Sequence, residues 1–147
     1  MVLGVGEGSV EIVTGKKSWL NGEAISGKVA LKLGAPVKSR GLRILFYGEK
    51  KSHLGKTPKI ERIHKQIVVL DGAKTYLKGR KNYAFLIQLP VLAKPRPIEG
   101  TDIIPSVVRF SGGKFDPYAN VKWYLDASLD IPVSLDLNKK IQITIKR

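Results

Sequence analysis

The sequence predicts an all-β fold, with two antiparallel sheets packed face to face as a sandwich. Apolar residues recur at every second position along at least seven segments, and no segment shows the three-and-four spacing of a helix. Gly, Pro and Asn turns separate these segments, which are rich in β-branched and aromatic side chains suited to a pleated, half-buried surface.

Val10, Ile12 and Thr14 begin the first strand, which Gly15-Lys16-Lys17 ends. In the next, Ile25, Gly27, Val29, Leu31 and Leu33 fall on one side, and Ser26, Lys28, Ala30 and Lys32 on the other. Gly27 inside that strand predicts a bulge or a close backbone approach. After a Gly34-Ala35-Pro36 turn, Leu42, Ile44, Phe46 and Gly48 form an apolar face, with Arg43, Leu45 and Tyr47 outward. These two segments are expected to pair as neighbours in one antiparallel sheet. Ile63, Ile67 and Val69 alternate with His64, Gln66 and Val68 in a longer basic strand that stops at the Asp71-Gly72 turn. Tyr83, Phe85, Ile87 and Leu89 share a face, and Pro90 ends pairing because it has no amide hydrogen. Val121, Trp123, Leu125, Ala127, Leu129 and Ile131 form the cleanest alternation, and Ile141, Ile143 and Ile145 the last strand. Residues 90–120 carry five prolines and three glycines and are expected to be a functional loop or to hold a short strand at Ser106–Phe110. The outline is immunoglobulin-like, without the Cys…Trp…Cys hallmark of antibody domains.

A chain of 147 residues suffices for one sizeable core, so a single domain over 1–147 is expected. There is no apolar run of membrane-spanning length. The start, Met1 to Gly8, lacks the basic and apolar blocks of a secretion signal, which predicts a cytoplasmic protein. Gly4-Val5-Gly6-Glu7-Gly8 is expected to be a flexible tail rather than a phosphate loop, since no strand precedes it and no helix follows. Cysteine is absent, which excludes disulfides and thiolate-held metal. Abundant Lys, Ile and Val with one Met suggest a thermophilic source. The net charge is +14, and residues 16–81 carry seventeen Lys and Arg against four Asp and Glu. Such a field favours anionic partners without choosing among them.

Four motifs in order resemble the N-terminal domain of arrestin-like proteins, a superfamily that includes α-arrestins, the arrestin-shaped subunit of retromer and bacterial sporulation-control proteins. They are Asn21-Gly22-Glu23 with Ile25-Ser26-Gly27-Lys28-Val29, Phe46-Tyr47-Gly48-Glu49, Phe85 to Pro90, and Lys122 to Pro132 with Trp123-Tyr124-Leu125-Asp126-Ala127 at its start. The resemblance spans residues 8–146. It implies an arrestin-type β-sandwich and a non-catalytic adaptor or scaffold that binds proteins, among them membrane-associated cargo or receptors. It also implies that Lys16 and Lys17, at the end of the first strand, stand where arrestins place a phosphate-sensing lysine pair. Three departures stand beside it. Full arrestins carry two sandwiches, the connection from Pro90 to Pro105 is longer than usual, and there is no Pro-Pro-x-Tyr tail.

No catalytic residue, cofactor or metal is expected. His53 and His64 lie in a basic stretch with few carboxylates, and Asp126, Asp130 and Asp136 are spaced along a solvent face. The candidate binding residues are Lys16, Lys17, Lys50, Lys51, Lys56, Lys59 and Arg62, on a basic face suited to an anionic protein partner or to a homodimer joined through an edge strand. The alternative is a nucleic-acid or anionic-membrane surface binder, with Tyr47, Tyr76 and Tyr83 interleaved among lysines as stacking platforms and non-specific nucleic-acid binding expected at low salt. Trp123 is assigned to the core, and Trp19 to an interface anchor or a core edge.

Overall fold

The computed structural model describes residues 8–54, 57–94, 96–97, 109–111, 114–132 and 136–147. Thirteen strands are present among them, and no helix. They are β1 (Gly8–Thr14), β2 (Ser18–Leu20), β3 (Ala24–Leu33), β4 (Val37–Ser39), β5 (Gly41–Leu54), β6 (Thr57–Asp71) and β7 (Lys74–Tyr76). The rest are β8 (Gly79–Gln88), β9 (Arg96–Pro97), β10 (Arg109–Ser111), β11 (Lys114–Asp116), β12 (Val121–Asp130) and β13 (Leu137–Lys146). One sheet has the order β1-β3-β8 and the other β2-β13-β12-β5-β6, while β4-β7 and β10-β11-β9 form small accessory ribbons. All pairings are antiparallel except that of β2 with β13.

The core lies between the two main sheets, with β1 against β12 and β13 and β8 against β6. Its centre is made of the positions that alternation selects. Ile25 and Val29 of β3, Leu42, Ile44 and Phe46 of β5, Ile87 of β8 and Leu125 and Leu129 of β12 are all essentially sealed from water. Each such burial is worth about 1.5–3 kcal/mol. Phe46 and Trp123 stack with their planes 3° apart and centroids at 5.5 Å. Trp19 is a core residue rather than an interface anchor, at 3% exposure.

Two glycines are required by proximity. A Cβ on Gly27 would stand 2.6 Å from the Val13 carbonyl oxygen and 2.8 Å from the Phe85 ring, so the glycine is a close approach and the ladder runs through it without a bulge. On Gly48 a Cβ would meet the Trp123 ring at 2.7 Å.

Three expectations need correction. The segments of β3 and β5 are not neighbours in one sheet; they belong to opposite sheets and face each other across the core. Residues 34–40 carry the chain over, fixed where the Ser39 hydroxyl donates to the Asp130 carbonyl at 2.7 Å and Arg40 N–H donates to the same oxygen at 2.9 Å. Gly8 is not tail but the first residue of β1, paired with Leu33. Ile67 and Val69 do not share the inward face of Ile63. Between Phe46/Gln66 and Gly48/Ile63 the ladder slips, so that His64 and Lys65 together oppose Tyr47. This bulge reverses the facing of the stretch that follows, because the side-chain period is two, up to a second slip where Leu70 is the extra residue between the Arg43/Val69 and Leu42/Asp71 pairs. Val68 and Leu70 pack on the core, while Ile67 and Val69 are 52% and 69% exposed.

The expected extra strand within 90–120 is present as Arg109–Ser111, joined by two further short strands at Arg96–Pro97 and Lys114–Asp116. Residues 106–108 of that expectation lie outside the described residues.

Candidate binding surface

β12 supports β5 only as far as the Val121–Lys50 pair. Beyond it, Lys51 to Leu54 pair solely with Thr57 to Ile60, so the hairpin continues as a two-stranded arm. Four residues at the usual strand rise carry it about 13 Å past the sheet. Lys51 and Thr57 to Arg62 are exposed, as expected of a ribbon with no layer to cover it.

The arm and its base together hold four of the seven candidate binding residues, Lys51 and Lys59 on the arm and Lys50 and Arg62 at its base. Lys51, Lys59 and Arg62 are exposed and Lys50 is half-buried, with Glu61 opposite Lys50 and Glu49 opposite Arg62. The Arg62 guanidinium lies 4.3 Å from the centroid of the Tyr47 ring, which holds one cation at the base of the arm. Lys56 and the side chain of His53 lie outside the described residues. β6 is the last strand of its sheet, and its outer edge presents Ile60 at 58% exposure beside these cations.

Lys16 and Lys17 are elsewhere. They precede β2 on the opposite edge of the five-stranded sheet, four strand spacings or about 19 Å from β6. The Lys16 ammonium is ion-paired with Glu23 and lies 5.9 Å from the Trp19 ring centroid. Glu23 in turn accepts the Leu20 N–H, and its carboxyl is held below the ordinary value chiefly by Lys16 and then by that N–H. The Lys17 carbonyl accepts Thr144 N–H at 2.9 Å. This pair fastens β2 to its surroundings, and it forms no common patch with the arm.

The interleaved tyrosines do not form stacking platforms. Tyr47 and Tyr76 are 0% and 3% exposed, and Tyr83 is half-buried with its hydroxyl donating to Asp71 at 3.0 Å. Tyr47 points outward from β5 yet is covered by Arg62, Lys140 and the Tyr124 ring at 5.6 Å.

At the base of the arm a second cluster was not foreseen. His64 at the bulge adopts φ 51°, a left-handed conformation uncommon for a residue with a Cβ. Its Nε2 is 3.2 Å from the Tyr118 hydroxyl, and its ring lies against Tyr118 and Trp123. Arg147 reaches over Tyr118 and makes a two-pronged pair with Asp116, whose side chain is 3% exposed. The Arg147 guanidinium, followed by the Tyr118 N–H, holds the Asp116 carboxyl below its ordinary range, against the opposing effect of burial. His64 is exposed, as a surface residue on an alternating strand is expected to be. No spacing signals that it joins residues 54 and 59 positions away.

No protein-family model matches this sequence, and no curated protein does. Among solved structures, the chain is similar to Spo0M, the sporulation control protein of Bacillus subtilis, at 18% identity and a TM-score of 0.68. The match covers 97% of this chain and 51% of that one, so the chain spans about half the length of Spo0M. Among the described residues no helix is long and apolar enough to cross a membrane. The likeness, with the strand order above, establishes an arrestin-like β-sandwich.

Proposed function

We propose that this sandwich is a non-catalytic binding module that engages an acidic protein partner through the β5–β6 arm and the open edge of β6. The observation that carries this reading is the projecting ribbon itself, where cations and an apolar side chain flank backbone groups that lack a strand partner among the described residues. An edge of this kind can accept a strand, with main-chain hydrogen bonds supplying affinity and adjacent side chains supplying selectivity. A membrane-associated cargo or receptor with an acidic extended segment fits the surface, whereas a second copy of the chain paired β6 to β6 would use the same open edge but set two basic strands side by side. The fold likeness to a sporulation control protein supports an adaptor-type role.

A nucleic-acid reading draws on one specific feature, since a two-stranded β-ribbon is of a size that the major groove of DNA admits. The test is capture from native lysate at physiological salt with nuclease present, comparing wild type with Lys50, Lys51, Lys56 and Lys59 changed to Glu. Retention of one or a few defined proteins that is lost in the variant supports the module. Recovery of nucleic acid alone, abolished by nuclease or high salt, overturns it in favour of the ribbon as a phosphate-tracking arm.

A further inference from the structure

Away from the arm, β7 and the turn into β8 enclose a pocket of about 280 Å³ that the candidate residues do not touch. Its walls carry Lys74, Lys78, Arg80 and Lys81, together with Tyr76 and Tyr83. Gly79 makes this possible, since φ 121° is a conformation that side-chain-bearing residues rarely adopt, and it turns the chain so that Lys78 and Arg80 line one space.

Two of the cations are held in place by the aromatic walls. The Lys74 ammonium is 5.0 Å from the Tyr76 ring centroid, and that of Lys81 is 5.2 Å from Tyr83. Beneath them Asp71 is fully engaged. It pairs with Lys74 at 2.6 Å, accepts Gly72 N–H at 2.9 Å and accepts the Tyr83 hydroxyl at 3.0 Å. Among the described residues, Lys74 is the only one of the four cations with an ion-pair partner. The residues that line the pocket therefore include four cationic ones, and among the described residues one carboxylate, Asp71, pairs with any of them.

Arg80 also borders a second depression of about 270 Å³ on the outer face of the three-stranded sheet. There Ser9, Lys32 and Arg80 stand in one row across β1, β3 and β8, beside Ala30 and Asn82. Glu11 also lines this depression, with Lys139 at 3.8 Å, so the positive field is concentrated in the first pocket.

We propose that the β7–β8 pocket binds a phosphoryl group, a compact oxyanion of charge near −2. Like charges crowded at one site repel, and a doubly charged oxyanion relieves that repulsion more than a carboxylate does. Arg80 supplies a planar fork that matches two phosphoryl oxygens, and the lysines act as point charges around it. The volume lies just below the range of drug-sized sites, which suits a small anionic group with its waters. The group arrives either as soluble phosphate or on a lipid headgroup. The site is independent of the arm.

The test is calorimetric titration of the full chain with inorganic pyrophosphate at near-physiological salt, beside Arg80→Ala/Lys81→Ala and a control of equal charge change, Lys28→Ala/Lys122→Ala. The expected results are a dissociation constant of about 100 µM for wild type, at least a tenfold loss in the pocket variant and unchanged affinity in the control. A rise in the wild-type thermal midpoint with pyrophosphate, absent in the pocket variant, gives a second readout. Vesicles of phosphatidylcholine with and without phosphatidic acid separate the sources. Retention by the acidic vesicles that pyrophosphate displaces assigns a lipid headgroup, and pyrophosphate binding without retention assigns a soluble phosphate. Equal losses in both double variants reduce the effect to diffuse charge and overturn the proposal, as does an absence of binding heat in wild type.

Discussion

The two halves of the β5–β6 hairpin obey the same pairing rules and have opposite fates. In the inner half, Leu42 to Phe46 have β12 on one side, β6 on the other and the three-stranded sheet below, and the inward-facing side chains are sealed from water. In the outer half, from Lys51 to Ile60, the same ladder continues with neither a third strand nor a covering layer, and its described side chains are exposed. The bulge at His64 divides the two. Backbone pairing alone leaves a strand surface open for binding, and only cover from a second sheet converts alternation into a core.

The largest effect should come from the inner half. Phe46→Ala removes a ring stacked on Trp123 at the centre of the sandwich, and urea unfolding should show a loss of about 3–5 kcal/mol. A loss below about 1 kcal/mol would mean that the inner half is no more committed than the arm.

Next is the tie at the hairpin's base. Asp116→Asn leaves the Arg147 guanidinium without its counter-charge, and the expected loss is about 3 kcal/mol, at the lower end for buried pairs because Arg147 keeps some solvent contact. The pH dependence has a defined sign. The Asp116 carboxyl titrates below its ordinary 3.8 in the folded chain, so its contribution is complete above that value and fades as the pH falls through the lowered one. Acid denaturation below about pH 4 should therefore be shallower in Asp116→Asn than in wild type. Identical acid limbs would contradict the assignment.

The dividing bulge can be tested by its strain. His64→Ala keeps a Cβ in the left-handed region and loses the contact with Tyr118, whereas His64→Gly loses the contact but relieves the strain. The glycine variant should be the more stable of the two by about 1–2 kcal/mol in thermal or urea unfolding. The reverse order would indicate that the bulge is relaxed.

The smallest effect on stability belongs to the arm. Lys51→Ala/Lys59→Ala should change the unfolding free energy by no more than about 0.5 kcal/mol while weakening capture of the acidic partner. A marked destabilisation would show that the arm is covered in the native fold and unfit as a free edge.

The strands were legible because alternation is local. Val121 to Ile131 can be assigned to a face from its own residues, and the structure buries the odd-numbered members as predicted, with Val121 only partly covered. The arm's lysines were legible as a charge cluster, but not as a projection, since that depends on where β12 begins beside Lys50. The tyrosines misled for a similar reason. Facing outward predicts exposure for Tyr47, and the neighbouring strands supply the cations and ring that cover it. The β7–β8 pocket is built almost wholly from residues 74–83, so its Lys, Arg and Tyr were legible as a basic run, but the turn at Gly79 that curls them around one space was not.

The sequence by itself determined the class of fold, the strand segments, most of the inward faces and the basic first half, because side-chain direction in a strand and net charge depend on nearest neighbours and composition. Tertiary structure alone decided that β3 and β5 face each other rather than pair, that one extra residue at His64 turns Ile67 and Val69 outward, and that Asp116 meets Arg147. Those outcomes rest on pairings between residues distant in the chain, which are selected by the shared burial of two sheets rather than by any local pattern.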